Sequence, residues 1–203
     1  MNLILLDDGF QHLRIHRDLN LLLIDSTQTN DALLPAGPMR EPTDAAGRAN
    51  VVILTRSETT PETVPIVTAL GFAGPILKTC FTPVELIHLQ KGISQPVSVL
   101  KGAKVLAFCA IGNPSAFVKM LNELGATVLE TVLYRDHFHY THLDIQKITE
   151  KARDTGAALI VTTEKDAVKV VGLITEPMDI WSVRIQINFF DSPKVVESLL
   201  LNC

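Results

Sequence analysis

Leu3-Ile4-Leu5-Leu6-Asp7-Asp8-Gly9-Phe10-Gln11-His12 sets four apolar residues, without alternation, directly before two adjacent carboxylates. An unbroken apolar run predicts a strand covered on both faces of a parallel sheet, since a half-exposed strand would alternate. Such a strand delivers its acids to the C-terminal edge of the sheet, where open α/β folds bind ligands. An apolar run ending in Asp has the form of a Walker B strand, whose carboxylate holds Mg²⁺ beside nucleotide phosphates. Magnesium takes one or two carboxylates from a protein, and Asp7 and Asp8 meet that need. Gly9 permits a sharp turn, after which Gln11 and His12 can reach a phosphate or a metal-bound water. The competing reading is a capping Asp and a surface acid after a core strand.

Similar runs recur at Leu19–Ile24, Val51–Leu54, Val105–Ala110, Ala158–Val161 and Ile180–Ile187, which predicts an α/β architecture. Asn113-Pro114 supplies an N-cap and a first-turn proline for a helix through Phe117, Val118, Leu121 and Leu124, ended by Gly125. A strand at Thr127–Leu133 follows. Thr141-His142-Leu143-Asp144 resembles a capping box with Asp in place of Glu and opens a helix to about Gly156. Asp191-Ser192-Pro193 opens a last helix by the same logic. Residues 61–102, rich in Pro and Gly, read as a connector with a β-hairpin or small antiparallel sheet. No internal repeat is present. Because the first strand begins almost at residue 1, the chain is expected to begin inside its own fold.

The 203 residues suit one large domain or one and a fraction, at about 150 residues per domain. With 47% hydrophobic and 20% charged residues the chain can bury a core, which excludes low-complexity disorder and a disulfide-stapled miniprotein. The net charge of −4 argues against a general nucleic-acid binder. Cys80, Cys109 and Cys203 are far apart and fit no metal spacing, so a reducing cytosol is expected. No stretch approaches the ~20 apolar residues of a membrane span. A mean hydropathy of +0.26 leaves room for peripheral membrane contact.

Three further segments can carry chemistry. Leu34-Pro35-Ala36-Gly37-Pro38-Met39-Arg40-Glu41-Pro42 is a proline-stiffened loop that can present the Arg40 guanidinium to phosphate oxygens, or simply hold an exposed ion pair. Arg135-Asp136-His137-Phe138-His139 lies between a strand and a helix, and a His held by an Asp suits a general base or a phosphate contact. His137 and His139 alone do not make a zinc site. Thr162-Thr163-Glu164-Lys165-Asp166 offers hydroxyls and a cation to an anion, or ordinary helix capping. A Walker B kinase also needs G-x-x-x-x-G-K-[ST], and nowhere in the sequence is Gly followed by Lys-Ser or Lys-Thr.

Taken together, residues 7–12, Arg17-Asp18-Leu19 leading to Ile24-Asp25, and Leu33–Pro42 resemble the tetraacyldisaccharide 4'-kinase (lipid A 4'-kinase) family. Ile111-Gly112-Asn113-Pro114, Asp136-His137 and Val161–Val168 resemble later motifs of that family, in its order. Two positions depart: Phe138 stands where the family often has a second His, and Leu13 where Arg is common. Members carry a membrane-associating segment, a Walker A loop and further catalytic residues upstream of the Asp-Asp strand. The resemblance therefore implies the C-terminal portion of such a kinase, inactive alone.

It implies an α/β fold, a P-loop-kinase-like three-layer parallel sheet incomplete at the N-terminus, with a small β-rich connector. The division expected is 1–60 for the kinase core, 61–102 for the connector and 103–203 for an α/β subdomain. The implied reaction moves the γ-phosphate of ATP to the 4'-hydroxyl of tetraacyldisaccharide 1-phosphate, a lipid A precursor, giving lipid IVA at the cytoplasmic face of the bacterial inner membrane. Peripheral membrane contact would come through the N-terminal segment, and the present portion alone would be soluble and cytoplasmic. Asp7 and Asp8 resemble the Mg²⁺ and catalytic-site acids, Gln11 and His12 line the same site, and Arg40 and Glu41 contact nucleotide or substrate phosphate. His137 resembles the His that assists deprotonation of the sugar hydroxyl together with an upstream acid. Two other classes compete. A metal-dependent phosphoesterase is disfavoured because haloacid-dehalogenase-like enzymes separate their two acids by one residue. A non-catalytic nucleotide- or partner-binding α/β module is favoured by the missing phosphate loop, while the presence of the Asp7-Asp8, Arg40-Glu41 and Asp136-His137 sets argues against it.

Overall fold

The computed structural model describes residues 3–26, 32–37, 39–57, 71–190 and 194–201. It divides into two compact units, one of residues 1–82 and 187–203, the other of residues 83–186. In the first unit β1 (Leu21–Asp25), β2 (Val51–Thr55) and the start of β3 (Ile76–His88) run parallel, with Leu21 opposite Val51 and Val52 opposite Ile76. Side chains alternate across this sheet. Ile24, Val52 and Leu54 pack on one face with Ala46 of a 3₁₀ turn (Thr43–Arg48). Val51, Ile53 and Leu77 meet Val195, Val196 and Leu199 on the other.

In the second unit β5 (Lys104–Cys109) lies between β6 (Thr127–Leu133) and β7 (Leu159–Thr163), and β8 (Ile180–Phe189) follows β7, all parallel. Helix α1 (Pro114–Glu123) covers Val105, Ala107 and Cys109, whereas α2 (His142–Thr155) covers Leu106, Phe108 and Ala110. This two-sided burial is why β5 is apolar at every position from 105 to 109. The second half of β3 pairs antiparallel with β4 (Ser94–Pro96), as Glu85 opposite Pro96. Two short helices, α3 (Glu164–Val170) and α4 (Lys194–Leu201), and 3₁₀ turns at Val97–Leu100 and Val171–Leu173 complete the described elements.

The caps read from sequence form as expected. Asn113 accepts from the Ala116 N–H at 3.1 Å, and Thr141 and Asp144 complete a reciprocal capping box ended by Gly156 at φ 71°. Residues 191–193, expected to open the last helix, lie outside the described residues, as do residues 58–70, which include the first ten of the expected connector.

The first apolar run is a correction. Leu3, Ile4, Leu5 and Leu6 are not a strand, and their exposures of 57, 84, 82 and 45% are those of surface residues. An apolar run becomes a buried strand only when a neighbouring strand takes its backbone hydrogen bonds, and among the described residues none pairs with 3–6.

Buried Cys109 follows from the same packing. Burial first, and the Asp166 carboxylate second, push its thiol up to about 11, leaving about a hundredfold less thiolate than an ordinary cysteine. Iodoacetamide at pH 8 is therefore expected to spare Cys109 in the native chain and label it after unfolding, as read by peptide mass mapping.

Candidate functional site

The segment after Leu6 folds back on itself. A Cβ on Gly9 would stand 2.8 Å from the Leu6 Cβ, so the turn predicted there depends on the missing side chain. His12 N–H donates to the Gly9 carbonyl at 3.0 Å, and Arg17 clamps the turn by donating to the carbonyls of Gly9 and His12, both at 2.7 Å. The Arg17 Nε donates to Asn20 Oδ1 at 2.6 Å, and the Asn20 N–H donates to Asn50 Oδ1 at 2.8 Å, which ties the turn to the starts of β1 and β2. Asp8 sits at φ 52°, a left-handed conformation that costs a non-glycine residue energy and is concentrated at functional sites.

Residues 32–37 and Met39 close on themselves through the backbone: Leu34 N–H donates to the Met39 carbonyl at 2.8 Å and Gly37 N–H to the Leu33 carbonyl at 2.9 Å. They deliver Arg40 and Glu41 to the turn. The expected Arg40–Glu41 pair does not form. Arg40 instead reaches Asp8 Oδ2 at 3.3 Å and Gln11 Oε1 at 3.4 Å. Glu41 pairs with Arg48, whose guanidinium lies 4.9 Å above the Phe10 ring. Asp8, Phe10, Gln11, Arg40 and Glu41 line one pocket of about 430 Å³, floored by Leu22, Ile24 and Asp25 of β1. Asp25 pairs with Arg56 at 2.7 Å. Asp7 and His12 are exposed beside these residues in sequence and are not among the lining. Arg17 and Arg48 are the residues that sequence reading missed. Arg48 has no motif to mark it, and Arg17 stood out only as part of a family-like segment.

The donor set suits Mg²⁺. Asp7 and Asp8 are exposed carboxylates with hard oxygens, Asp8 being 80% exposed at its side chain, and magnesium keeps much of its water shell. Among the described residues no group of three or more His, Cys, Asp or Glu is gathered as a closed metal cage would need.

His137 belongs to the second unit. It occupies φ 59°, in a turn closed by the Phe138 N–H donating to the Arg135 carbonyl at 3.1 Å. Asp136 Oδ1 accepts from the His137 N–H at 2.9 Å and from Lys165 Nζ at 3.0 Å, and Asp136 Oδ2 lies 3.8 Å from His137 Nε2. The Lys165 hydrogen bond, then that of the His137 N–H, hold the Asp136 carboxyl below the usual carboxylate range. Phe138 stacks on Tyr134 at 4.4 Å and meets Tyr140 edge-on at 5.3 Å. The residue that departs from the family pattern therefore packs the turn in place.

In residues 162–166 the helix cap is formed. Thr163 accepts from the Asp166 N–H at 3.2 Å, and Thr162 donates to the Phe108 carbonyl at 2.9 Å. Glu164 accepts from Ile185 N–H and Arg184, each at 3.2 Å. A larger groove, about 680 Å³, lies between α1 and β6, but its charged residues Lys119 and Glu123 pair with each other at 3.6 Å and no catalytic set lines it.

A family model described as LpxK: Tetraacyldisaccharide-1-P 4'-kinase matches residues 1–203. The chain is similar to the tetraacyldisaccharide 4'-kinase of Syntrophus aciditrophicus, 39% identical over 182 residues covering 83% of this chain and 49% of that protein. It is equally similar to that of Pelobacter propionicus, 39% identical over 201 residues, 96% of this chain and 54% of that protein. Among solved structures it is similar to the "apo" form of LpxK from Aquifex aeolicus in complex with ATP, at 28% identity and a TM-score of 0.70, covering 96% of this chain and 55% of that one. The chain thus spans about half the length of the relatives it matches.

Proposed function

We infer the function from one premise: this chain belongs to the tetraacyldisaccharide-1-P 4'-kinase family, and its fold is that of the P-loop kinases. We propose that it takes part in ATP-dependent phosphorylation of the 4'-hydroxyl of tetraacyldisaccharide 1-phosphate at the cytoplasmic face of the inner membrane. The observation that carries this reading is the convergence of Asp8, Gln11 and Arg40 in one pocket, with Arg40 bridging the other two. No helix among the described residues is long and apolar enough to cross a membrane.

Phosphoryl transfer is mostly positioning and charge neutralisation. Asp7 and Asp8 are the residues that would hold Mg²⁺, which when bound neutralises phosphate charge. Arg40 swings from the Asp8 carboxylate to phosphate oxygens, for which its planar guanidinium is shaped. Gln11 donates its side-chain N–H to the same oxygens, and His12 stands at the rim. Glu41, held by Arg48, lines the same pocket beside Arg40. As the 4'-oxygen bonds to the γ-phosphorus and the bond to the ADP oxygen breaks, the hydroxyl proton must leave, and His137 is assigned to assist that departure. The sequence holds no phosphate loop, so the 203 residues alone are expected not to catalyse transfer.

Calorimetry tests the reading. Titration of Mg·ATP is expected to release heat that disappears when the metal is removed with EDTA. A stably folded chain giving no heat with Mg·ATP would sink the proposal.

A further inference from the structure

Thr163 caps the helix of residues 164–170, and Lys165 takes no part in that cap. It is the member of the segment that points at the Asp136-His137 turn. Its helix cannot slide, because the neighbouring Asp166 is completely buried and accepts from the Ala110 N–H at 3.0 Å and the Thr163 hydroxyl at 2.7 Å. Lys165 therefore extends from an anchored point. Its ammonium meets Asp136 Oδ1, the same oxygen that accepts the His137 N–H. That second bond closes the backbone around a residue at φ 59°, a left-handed conformation uncommon outside glycine.

We propose that Lys165 is a positioning residue: through the Asp136 carboxylate it holds His137 in its left-handed conformation and so fixes where the imidazole stands. The importance of this geometry rests on the assignment of His137 to proton removal, but the geometry itself can be tested without nucleotide. The charged and titratable groups around Asp136 are Lys165 from α3 and His137 from the turn. The Lys165–Asp136 pair is nearly half exposed, so removing the lysine leaves the unit folded.

The test is heteronuclear NMR of the 203-residue chain. The His137 amide proton bonds the Asp136 carboxylate and reports its ionisation, with a midpoint expected below the usual carboxylate range. Lys165→Met is expected to move that midpoint upward and displace the His137 imidazole resonances, while Lys165→Arg restores both. Asp136→Asn should abolish the titration of the amide. The Trp181 indole resonance, from β8 of the same unit, should stay in place throughout. Unmoved His137 signals in Lys165→Met would overturn the proposal. So would displacement of Trp181 along with them, since the lysine would then hold the unit instead of the turn. Because no nucleotide is present, failure here is separate from failure of the kinase reading, which the Mg·ATP titration decides.

Discussion

Replacement of Asp166 by Ala is expected to cost about 3–5 kcal/mol of stability, the range for breaking a buried charge pair from one side. The side chain is 0% exposed. Besides accepting from Ala110 and Thr163, it faces the Lys169 ammonium, whose Nζ lies 3.5 Å from Oδ1. Asp166 Oδ1 and Lys169 Nζ are both buried, and the Tyr140 hydroxyl faces the same carboxylate, so the charges of Asp166 and Lys169 are compensated only within this cluster. Truncation leaves a buried N–H and a buried ammonium uncompensated. Asp166→Asn keeps an acceptor for Ala110 but loses the charge, and should cost less, about 1–3 kcal/mol. Combining Asp166→Leu with Lys169→Met should recover much of the loss, because replacing both members of a buried pair with apolar groups is often neutral. Urea unfolding followed by Trp181 fluorescence reads these values, as this lone tryptophan lies in the same unit and is 8% exposed. A loss below about 1 kcal/mol for Asp166→Ala would mean that water reaches the cluster, contrary to the burial described.

Arg40→Ala and Asp8→Ala should behave in the opposite way. Their side chains are 61 and 80% exposed, so the pair adds about 0–1 kcal/mol to stability and urea midpoints should barely move. Charge-assisted contacts to phosphate are stronger, about 1.5–3 kcal/mol. Arg40→Ala is thus expected to weaken Mg·ATP binding by roughly ten- to a hundredfold. Asp8→Ala should reduce the metal-dependent part of the heat, with Asp7→Ala showing which acid carries the larger share. A surface ion pair without a ligand would give unchanged stability and unchanged binding. Loss of binding at unchanged stability is therefore the signature of a phosphate site.

Much of the fold was legible because its causes are local. The Asn113-Pro114 start of α1 and the Thr141–Asp144 box of α2 are satisfied within four residues, so their sequence signals suffice. The unbroken apolar runs at 105–109 and 51–54 required two covering layers, and both are present. Leu3–Leu6 carried the same signal without the same outcome, since pairing is a property of a neighbour and not of the run.

For the site, residue types sufficed to single out Asp8, Gln11, Arg40 and Glu41, and they meet in one pocket. Their partners were not legible. Adjacent Arg40 and Glu41 invited pairing, yet each found a charge elsewhere, at Asp8, 32 residues away, and at Arg48. Lys165 reaches Asp136 across 29 residues, with nothing in either motif to announce it.

By itself the sequence determined the α/β class, the positions of the capped helices and the kinds of side chain available for chemistry, because periodicity and capping act over a few residues. Only the tertiary structure decided which charge meets which, that Asp8 and His137 stand at positive φ, and that the first apolar run stays exposed. Those outcomes depend on where the loops stand once the sheets have formed, a matter of contacts between residues tens of positions apart.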